Sequence, residues 1–281
     1  MRLRTIIRGL GYAESPRWHG GKLWFVDFFS GHVLRSGLDG DYEAVATVEN
    51  MPGGLGFLPD GTPLVVSQRD FRLLRIGPDG SLAPYADLSK HAVGAANELF
   101  VDRRGCAYVG HHGFDFFGGA EPRPSSLLLV DPAGTVSVAA DELIFPNGTA
   151  SSSDGKTLIV AESFANRLTA FDVAEDGSLS RRRTWAELGN HTPDGICIDA
   201  EGAVWAASPM TATFLRVREG GEVLDEIRTE NGRWAVACAF VGDDLATLCC
   251  LTAATTLEDM PQGKSEGFVE LAEVEVAGAR T

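Results

Sequence analysis

Residues 191–208 read HTPDGICIDAEGAVWAAS. The stretch holds Asp194-Gly195 and, seven residues on, Glu201-Gly202. Asp-Gly is a strong hairpin signal, because Gly accepts a positive φ and Asp tolerates one. Two turns this close would leave only ICIDA between them. A simpler reading is one strand entering at Gly195, one turn at Glu201-Gly202, and a second strand, AVWAAS. If that is right, the strand–turn–strand unit should recur elsewhere in the chain.

It recurs six times. Short apolar segments rich in β-branched and aromatic residues lie at LWFVD (23–27), PLVVS (63–67), CAYVG (106–110), TLIVAES (157–163), AVWAAS (203–208) and LATLCCL (245–251). They read as buried strands. Each follows a turn: Gly20-Gly21, Asp60-Gly61, Arg104-Gly105, Asp154-Gly155, Glu201-Gly202 and Gly242-Asp243. Upstream of each turn stands another strand candidate, and downstream comes a second hairpin. Four of those outer hairpins turn at Asp39-Gly40, Asp79-Gly80, Ala133-Gly134 and Asp176-Gly177. The repeat spacing of 40 to 51 residues is that of a propeller blade. Four antiparallel strands per repeat and six repeats predict an all-β, six-bladed β-propeller forming one domain over residues 1–281. A seventh blade would need about 40 more residues.

The composition sets the outer limits. A net charge of −15 disfavours phosphate backbones and anionic membranes, so neither nucleic acid nor membrane is an expected partner. No stretch approaches 18 uncharged apolar residues, and the N-terminal apolar run is too short for a signal-peptide core. The five cysteines are odd in number and include no C-x-x-C, so they signal neither a disulfide framework nor a zinc site. A cytoplasmic protein is the default expectation, with a small-molecule substrate and room for homo-oligomers.

In a propeller the first strand of each blade lines the central channel. Glu14, Asn97, Asn147 and Asp194 stand at the entry of four such strands, 6, 7, 7 and 7 residues before the repeated turn. Taken singly, Asn147-Gly148 and Asp194-Gly195 are turn dipeptides, Glu14 a surface acid and Asn97 a loop residue. Their shared phase instead points all four at one axis. Carboxylates and carboxamides offer only oxygen, the preference of hard cations such as Ca²⁺ and Mg²⁺.

The segments AESPRW around Glu14, LWFVD, FPNGTA around Asn147, TPDGICIDAEGAVWAA around Asp194 and ACAFVGDDLATLCCLTA (237–253) resemble the regucalcin (senescence marker protein), gluconolactonase and luciferin-regenerating enzyme family. The resemblance spans nearly the whole chain. It implies a six-bladed propeller with one divalent metal in the channel, held by the residues matching Glu14, Asn147 and Asp194. The residue matching Asn97 sits beside it, as ligand or substrate contact. Several members hydrolyse lactones, and the residue matching Asp194 serves as general base or nucleophile. Ca²⁺ is the favoured ion, with Mg²⁺, Mn²⁺ and Zn²⁺ as alternatives.

One departure bears on the substrate. Sugar-lactonase members often carry Arg-x-Asn-Asp-Gly in blade three, where this chain reads Ala95-Ala96-Asn97-Glu98-Leu99. The following loop, GHHGFDFFGGAEP, brings His111, His112, Phe114, Phe116 and Phe117 toward the mouth, with Phe28, Phe29 and Phe145 nearby. Blade packing accounts for such aromatics equally well. As a rim they suit an apolar substrate. His111 and His112 alternate, so at most one should face the channel, and His191 is a further candidate. Arg181–Arg183 reads as an exposed outer hairpin. The expected activity is metal-dependent hydrolysis of an apolar- or aromatic-substituted lactone, with Asp194 assisting water. A phosphotriesterase-like or non-hydrolytic reaction at the same site, and a non-catalytic metal- or ligand-binding propeller, are the alternatives.

Overall fold

A computed structural model describes residues 1–280. The chain opens with β1 (Arg4–Leu10). Blade one follows as β2 (Ala13–His19), β3 (Lys22–Asp27), β4 (His32–Ser36) and β5 (Tyr42–Thr47). Blade two is β6 (Pro52–Phe57), β7 (Pro63–Ser67), β8 (Arg72–Ile76) and β9 (Leu82–Asp87). Blade three is β10 (Ala96–Val101), β11 (Ala107–His111), β12 (Ser125–Val130) and β13 (Val136–Leu143). Blade four is β14 (Pro146–Ser151), β15 (Thr157–Glu162), β16 (Arg167–Val173) and β17 (Leu179–Glu187). Blade five is β18 (Ile196–Ile198), β19 (Val204–Ser208), β20 (Thr213–Val217) and β21 (Val223–Arg228). Blade six is β22 (Trp234–Val241), β23 (Thr247–Ala254) and β24 (Glu266–Glu273), with β1 as its outermost strand.

The result is the six-bladed propeller expected from the repeat, with four antiparallel strands in every sheet. Each apolar segment forms the second strand of its blade. These strands are covered on both faces by the adjoining blades, so they are apolar throughout rather than alternating. All five residues of β19, VWAAS, are buried. The outer strands are the exposed ones, as in β5 and β13.

The turn glycines behave as the sequence suggests. Gly202 takes φ +80° between β18 and β19. Gly148 and Gly195 do not have positive φ, so neither is a turn glycine. They are small because neighbouring inner strands touch there. A methyl group on Gly148 would collide with the backbone of Asp194 and Ile196, and one on Gly195 with Ala237. The freed amides bridge the blades: Gly148 N–H donates to Asp194 O at 3.2 Å, and Gly195 N–H to Val236 O at 3.0 Å.

Ring closure was not foreseen from the repeat. The N-terminal strand pairs with β24, Arg4 opposite Leu271 and Leu10 opposite Gly267. Behind that seam Glu270 is buried. It accepts from Thr5 Oγ1 at 2.9 Å, Thr252 Oγ1 at 2.7 Å and Arg233 Nη2 at 3.1 Å. The closing strand is non-covalently held, so its apolar contacts bear on the whole ring. Ile7, buried in the core at 4% exposure, anchors it. Ile7→Ala is expected to cost about 2–4 kcal/mol. It should lower the melting temperature by roughly 5–10 °C, and an unchanged thermal unfolding midpoint would contradict this closure.

Candidate active site

The four polar residues meet at one end of the channel, and backbone irregularity puts them there. Register breaks interrupt β2 between Glu14 and Arg17, β6 between Pro52 and Leu55, β10 between Ala96 and Leu99, β14 between Pro146 and Thr149, and β22 between Ala235 and Ala237. In blade five, Asp194 N–H donates to Ala207 O at 2.9 Å while Gly195 O accepts from Ala207 N–H at 3.1 Å. Two residues thus oppose one, as in a β-bulge, which re-aims side chains. Asn97, Asn147 and Asp194 lie within these bulges, and Glu14 stands immediately before one. The bulges keep the repeat's phase, so the side chains turn to the same axis.

The four side chains are buried at 7–8% exposure. Asn97 Nδ2 donates to Asn147 Oδ1 at 3.3 Å. Asn147 Nδ2 in turn donates to Asp194 Oδ1 and, at 3.3 Å, to Ser163 Oγ. Glu14 Oε2 accepts from Ser15 N–H at 2.9 Å. Among the described residues neither Glu14 nor Asp194 forms an ion pair. Arg17, whose charge acts on Glu14, is paired with Glu98 at 2.6 Å. Glu98 also accepts from Ser15 Oγ at 2.8 Å. Burial, then the charge of Asp194, then that of Glu98, push the Glu14 carboxyl well above its ordinary range. Burial and then Glu98 raise Asp194 likewise, against the hydrogen bond from Asn147.

These groups form the floor of a cavity of about 110 Å³. Phe28, His112, Phe116, Phe117 and Phe145 form much of its wall, as do Tyr12 and Trp234. Phe164, Met210 and Leu257 reach its rim, exposed at 43%, 44% and 65%. Two short 3₁₀ turns, Ser163–Ala165 and Pro209–Thr211, deliver Phe164 and Met210. A larger hollow of about 460 Å³ lies near the far ends of the inner strands, beside Arg17, Ile198 and Phe240. It gathers no comparable set of oxygen donors.

Of the two adjacent histidines, only His112 lines the cavity. His111 is turned into the blade, its Nδ1 3.1 Å from Val93 O and its Nε2 2.9 Å from Ser126 Oγ. Phe114 is not a lining residue either. It packs behind the wall, with ring centroids 5.8 Å from Phe145 and 6.0 Å from Phe164. His191 bonds Thr211 Oγ1 at 2.8 Å, and Phe29 packs on Tyr12; both stand off the cavity. The sequence reading passed over Tyr12, Ser163, Phe164, Met210, Trp234, Leu257 and the Glu98–Arg17 pair. Tyr12 lies two residues before Glu14, and Trp234 opens the inner strand of blade six, so repeat phase could have flagged both.

No three His, Cys, Asp or Glu side chains among the described residues gather as a metal cluster. The donor set here is different: two carboxylates and two carboxamides. Two buried acids without a cationic partner fit a hard divalent ion, which takes oxygen ligands of both kinds.

Fold and site together define a propeller whose channel mouth carries an acid–amide floor under an aromatic wall. The family model described as SMP-30/Gluconolactonase/LRE-like region matches residues 12–254. The chain belongs to that family. It is 26% identical over 273 residues to 6-deoxy-6-sulfogluconolactonase of Pseudomonas putida, covering 94% of this chain and 92% of the relative. It is also 26% identical over 276 residues to regucalcin of Xenopus laevis, with coverage of 94% and 92%. The structure of a luciferin-regenerating enzyme superposes with a TM-score of 0.85 at 20% identity, covering 100% of this chain and 99% of that one.

The raised acids give a stability prediction for the metal-free protein. A carboxyl whose folded-state pKa lies above its unfolded value takes up a proton on folding. Its contribution is most favourable at acidic pH and is lost as pH rises through the folded pKa. Asp194→Asn and Glu14→Gln should therefore raise the melting temperature in chelator at pH 8, and raise it less at pH 4.5. Equal shifts at both values would show that the acids carry no uncompensated charge.

Proposed function

We propose that the protein hydrolyses a lactone bearing an apolar or aromatic substituent, with one divalent cation held by Glu14, Asn147 and Asp194. The observation that carries this reading is the pair of buried, uncompensated carboxylates beside two carboxamides at the base of an aromatic cavity. Family membership and the lactonase name of the Pseudomonas relative support the reaction type. Ca²⁺ is the favoured ion for an all-oxygen set, ahead of Mg²⁺, Mn²⁺ and Zn²⁺.

Bound there, the ion would supply a Lewis acid for the carbonyl and would offset the charge of both carboxylates. The remaining work falls to the chain. Asp194 accepts a proton from the attacking water as its oxygen bonds to the carbonyl carbon. The ring C–O bond breaks, and the proton passes to the departing oxygen, leaving a hydroxy acid. Asn97 orients a substrate oxygen through its carboxamide. Phe28, Phe116, Phe117 and Phe145 exclude water from the floor, which strengthens the charge interactions within it.

The wall also argues the substrate. The Pseudomonas relative is named for a sugar-derived lactone. Here Ala95 and Ala96 precede Asn97, so no arginine stands before it to meet sugar hydroxyls. The exposed Phe164, Met210 and Leu257 continue the apolar surface to the rim, where a substituent would emerge. Contiguous apolar surface of this kind marks a binding site.

Asp194→Asn and Asn147→Ala should each lower turnover by at least about a hundredfold with circular dichroism unchanged. Excess chelator should do the same to the parent protein and added Ca²⁺ should reverse it; undiminished rates after verified metal loss would overturn the ligand assignment. Across a panel of lactones, aryl- or alkyl-substituted rings should exceed gluconolactone in kcat/KM by at least about tenfold. A preference for gluconolactone would refute the role given to the wall.

A further inference from the structure

His112 is a polar side chain set in the aromatic wall. It is buried at 4% exposure and lines the cavity. Its ring stacks on Phe145, centroids 4.5 Å apart at 15°, and Phe116 meets it edge-on at 5.5 Å. The backbone holds it firmly, with His112 N–H donating to Ala95 O at 3.0 Å. That contact places it beside the start of β10, two residues from Asn97. Phe145, which it stacks upon, lies two residues from Asn147. The imidazole and both carboxamides line the same cavity.

The two ring nitrogens differ. Nδ1 is sealed from solvent and has no hydrogen-bond partner. Nε2 has no partner within the described residues either, but it is not sealed, and the cavity is the open space this side chain lines. A neutral imidazole carries one N–H and one bare nitrogen. Stranding the N–H at the sealed position would cost the desolvation of a donor, which is avoided if the proton sits on Nε2. Burial, with His111 adding to it, lowers the pKa of His112 to about 3. The ring is thus neutral throughout the physiological range.

We propose that His112 is a specificity-determining residue whose Nε2–H donates a hydrogen bond to the substrate, which must carry an acceptor oxygen or nitrogen on the substituent that lies against the aromatic wall. The substrate class narrows accordingly, from an apolar lactone to one with an ether, amide, ester or aromatic-nitrogen acceptor close to the ring. An apolar substituent without an acceptor leaves the N–H unpaired in a dry site, and sites that hold a buried polar group discriminate against such ligands. This inference rests on the proposed ligand cavity, but not on the hydrolytic step.

Two measurements test it, one of them independent of any activity. Ring ¹⁵N shifts of His112, assigned by comparison with His112→Phe, should report a protonated Nε2 and a bare Nδ1 from pH 8 down to pH 5. A proton on Nδ1, or charging of the ring within that range, would overturn the proposal. Calorimetry should then compare two non-hydrolysable lactams that differ only in carrying a butyl or a methoxypropyl substituent. The parent protein should bind the ether-bearing ligand about tenfold more tightly. His112→Phe should abolish that difference while leaving the butyl ligand within about twofold, and His112→Gln, which retains a donor at the same reach, should restore it. Equal affinities in the parent protein, or no binding of either ligand, would sink the proposal. So would loss of affinity for both ligands in a folded His112→Phe. If the binding difference is seen but no lactone is hydrolysed, the lactonase reading fails and the role of His112 stands.

Discussion

Everything in this molecule depends on how closely six inner strands approach one another around the channel. Six sheets can share an axis only if their first strands touch near it, and side chains beyond hydrogen obstruct that contact. Gly54 against Leu99, Gly148 against Asp194 and Gly195 against Ala237 are the points of contact. Bulges at the same level release backbone amides from their own ladders. Those amides are then satisfied across blades, as with Gly148 to Asp194 O and Gly195 to Val236 O. Leu55 N–H completes the pattern by donating to Ser15 Oγ at 2.8 Å. A buried amide without a partner would be costly, so the bulges and the inter-blade bonds imply one another. The side chains that bulging re-aims are the ones proposed to form the site.

This geometry is placed under electrostatic strain. Glu14 and Asp194 are brought into a low-dielectric floor with no positive side chain committed to them. Glu98 shows what a compensated acid looks like in the same neighbourhood: an arginine at 2.6 Å and two further donors at 2.8 and 3.1 Å. Arg17 follows Glu14 by only three residues, yet it points down the channel to Glu98 rather than to the mouth. The chain therefore had a cation available and directed it elsewhere. That leaves the floor electron-rich, and it separates the Arg17–Glu98 ion pair from the two unpaired acids of the floor.

The sequence disclosed the parts of this that repeat. Strand, turn dipeptide and second strand recur with a blade period, and Glu14, Asn97, Asn147 and Asp194 keep a common distance to the turn. Repetition supplied the phase, and phase supplied direction. Features that occur once were silent. Strand β1 precedes the first repeat and closes the last, a pairing between residues as far apart in the chain as Thr5 and Glu270. Met210, Leu257 and Phe164 reach the rim from unrelated loops and short 3₁₀ turns, whose course no periodicity describes. His111 and His112 posed a different problem. Alternation said that at most one should face inward, but which one depends on the hydrogen bonds that Val93 and Ser126 offer to His111. Asp194-Gly195 is the instructive case. Its dipeptide is a turn signal, and it is read correctly only because Glu201-Gly202 already occupies the turn.

The protonation state of Asp194 ties the floor to the proposed reaction. A base must be ionised to accept a proton, and burial together with Glu98 favours the neutral acid. A hydrogen bond from Asn147 opposes them but is a single neutral donor, weaker than an ion pair. A cation at the floor reverses the balance, since it favours the charged form of both carboxylates at once. In the proposed reaction, binding the ion and arming the base would be a single event rather than two. The same coupling assigns the neutral residues their place. His112 and the phenylalanines contribute no charge to the floor, so they can shape the ligand's surroundings without disturbing the proton balance on which Asp194 depends.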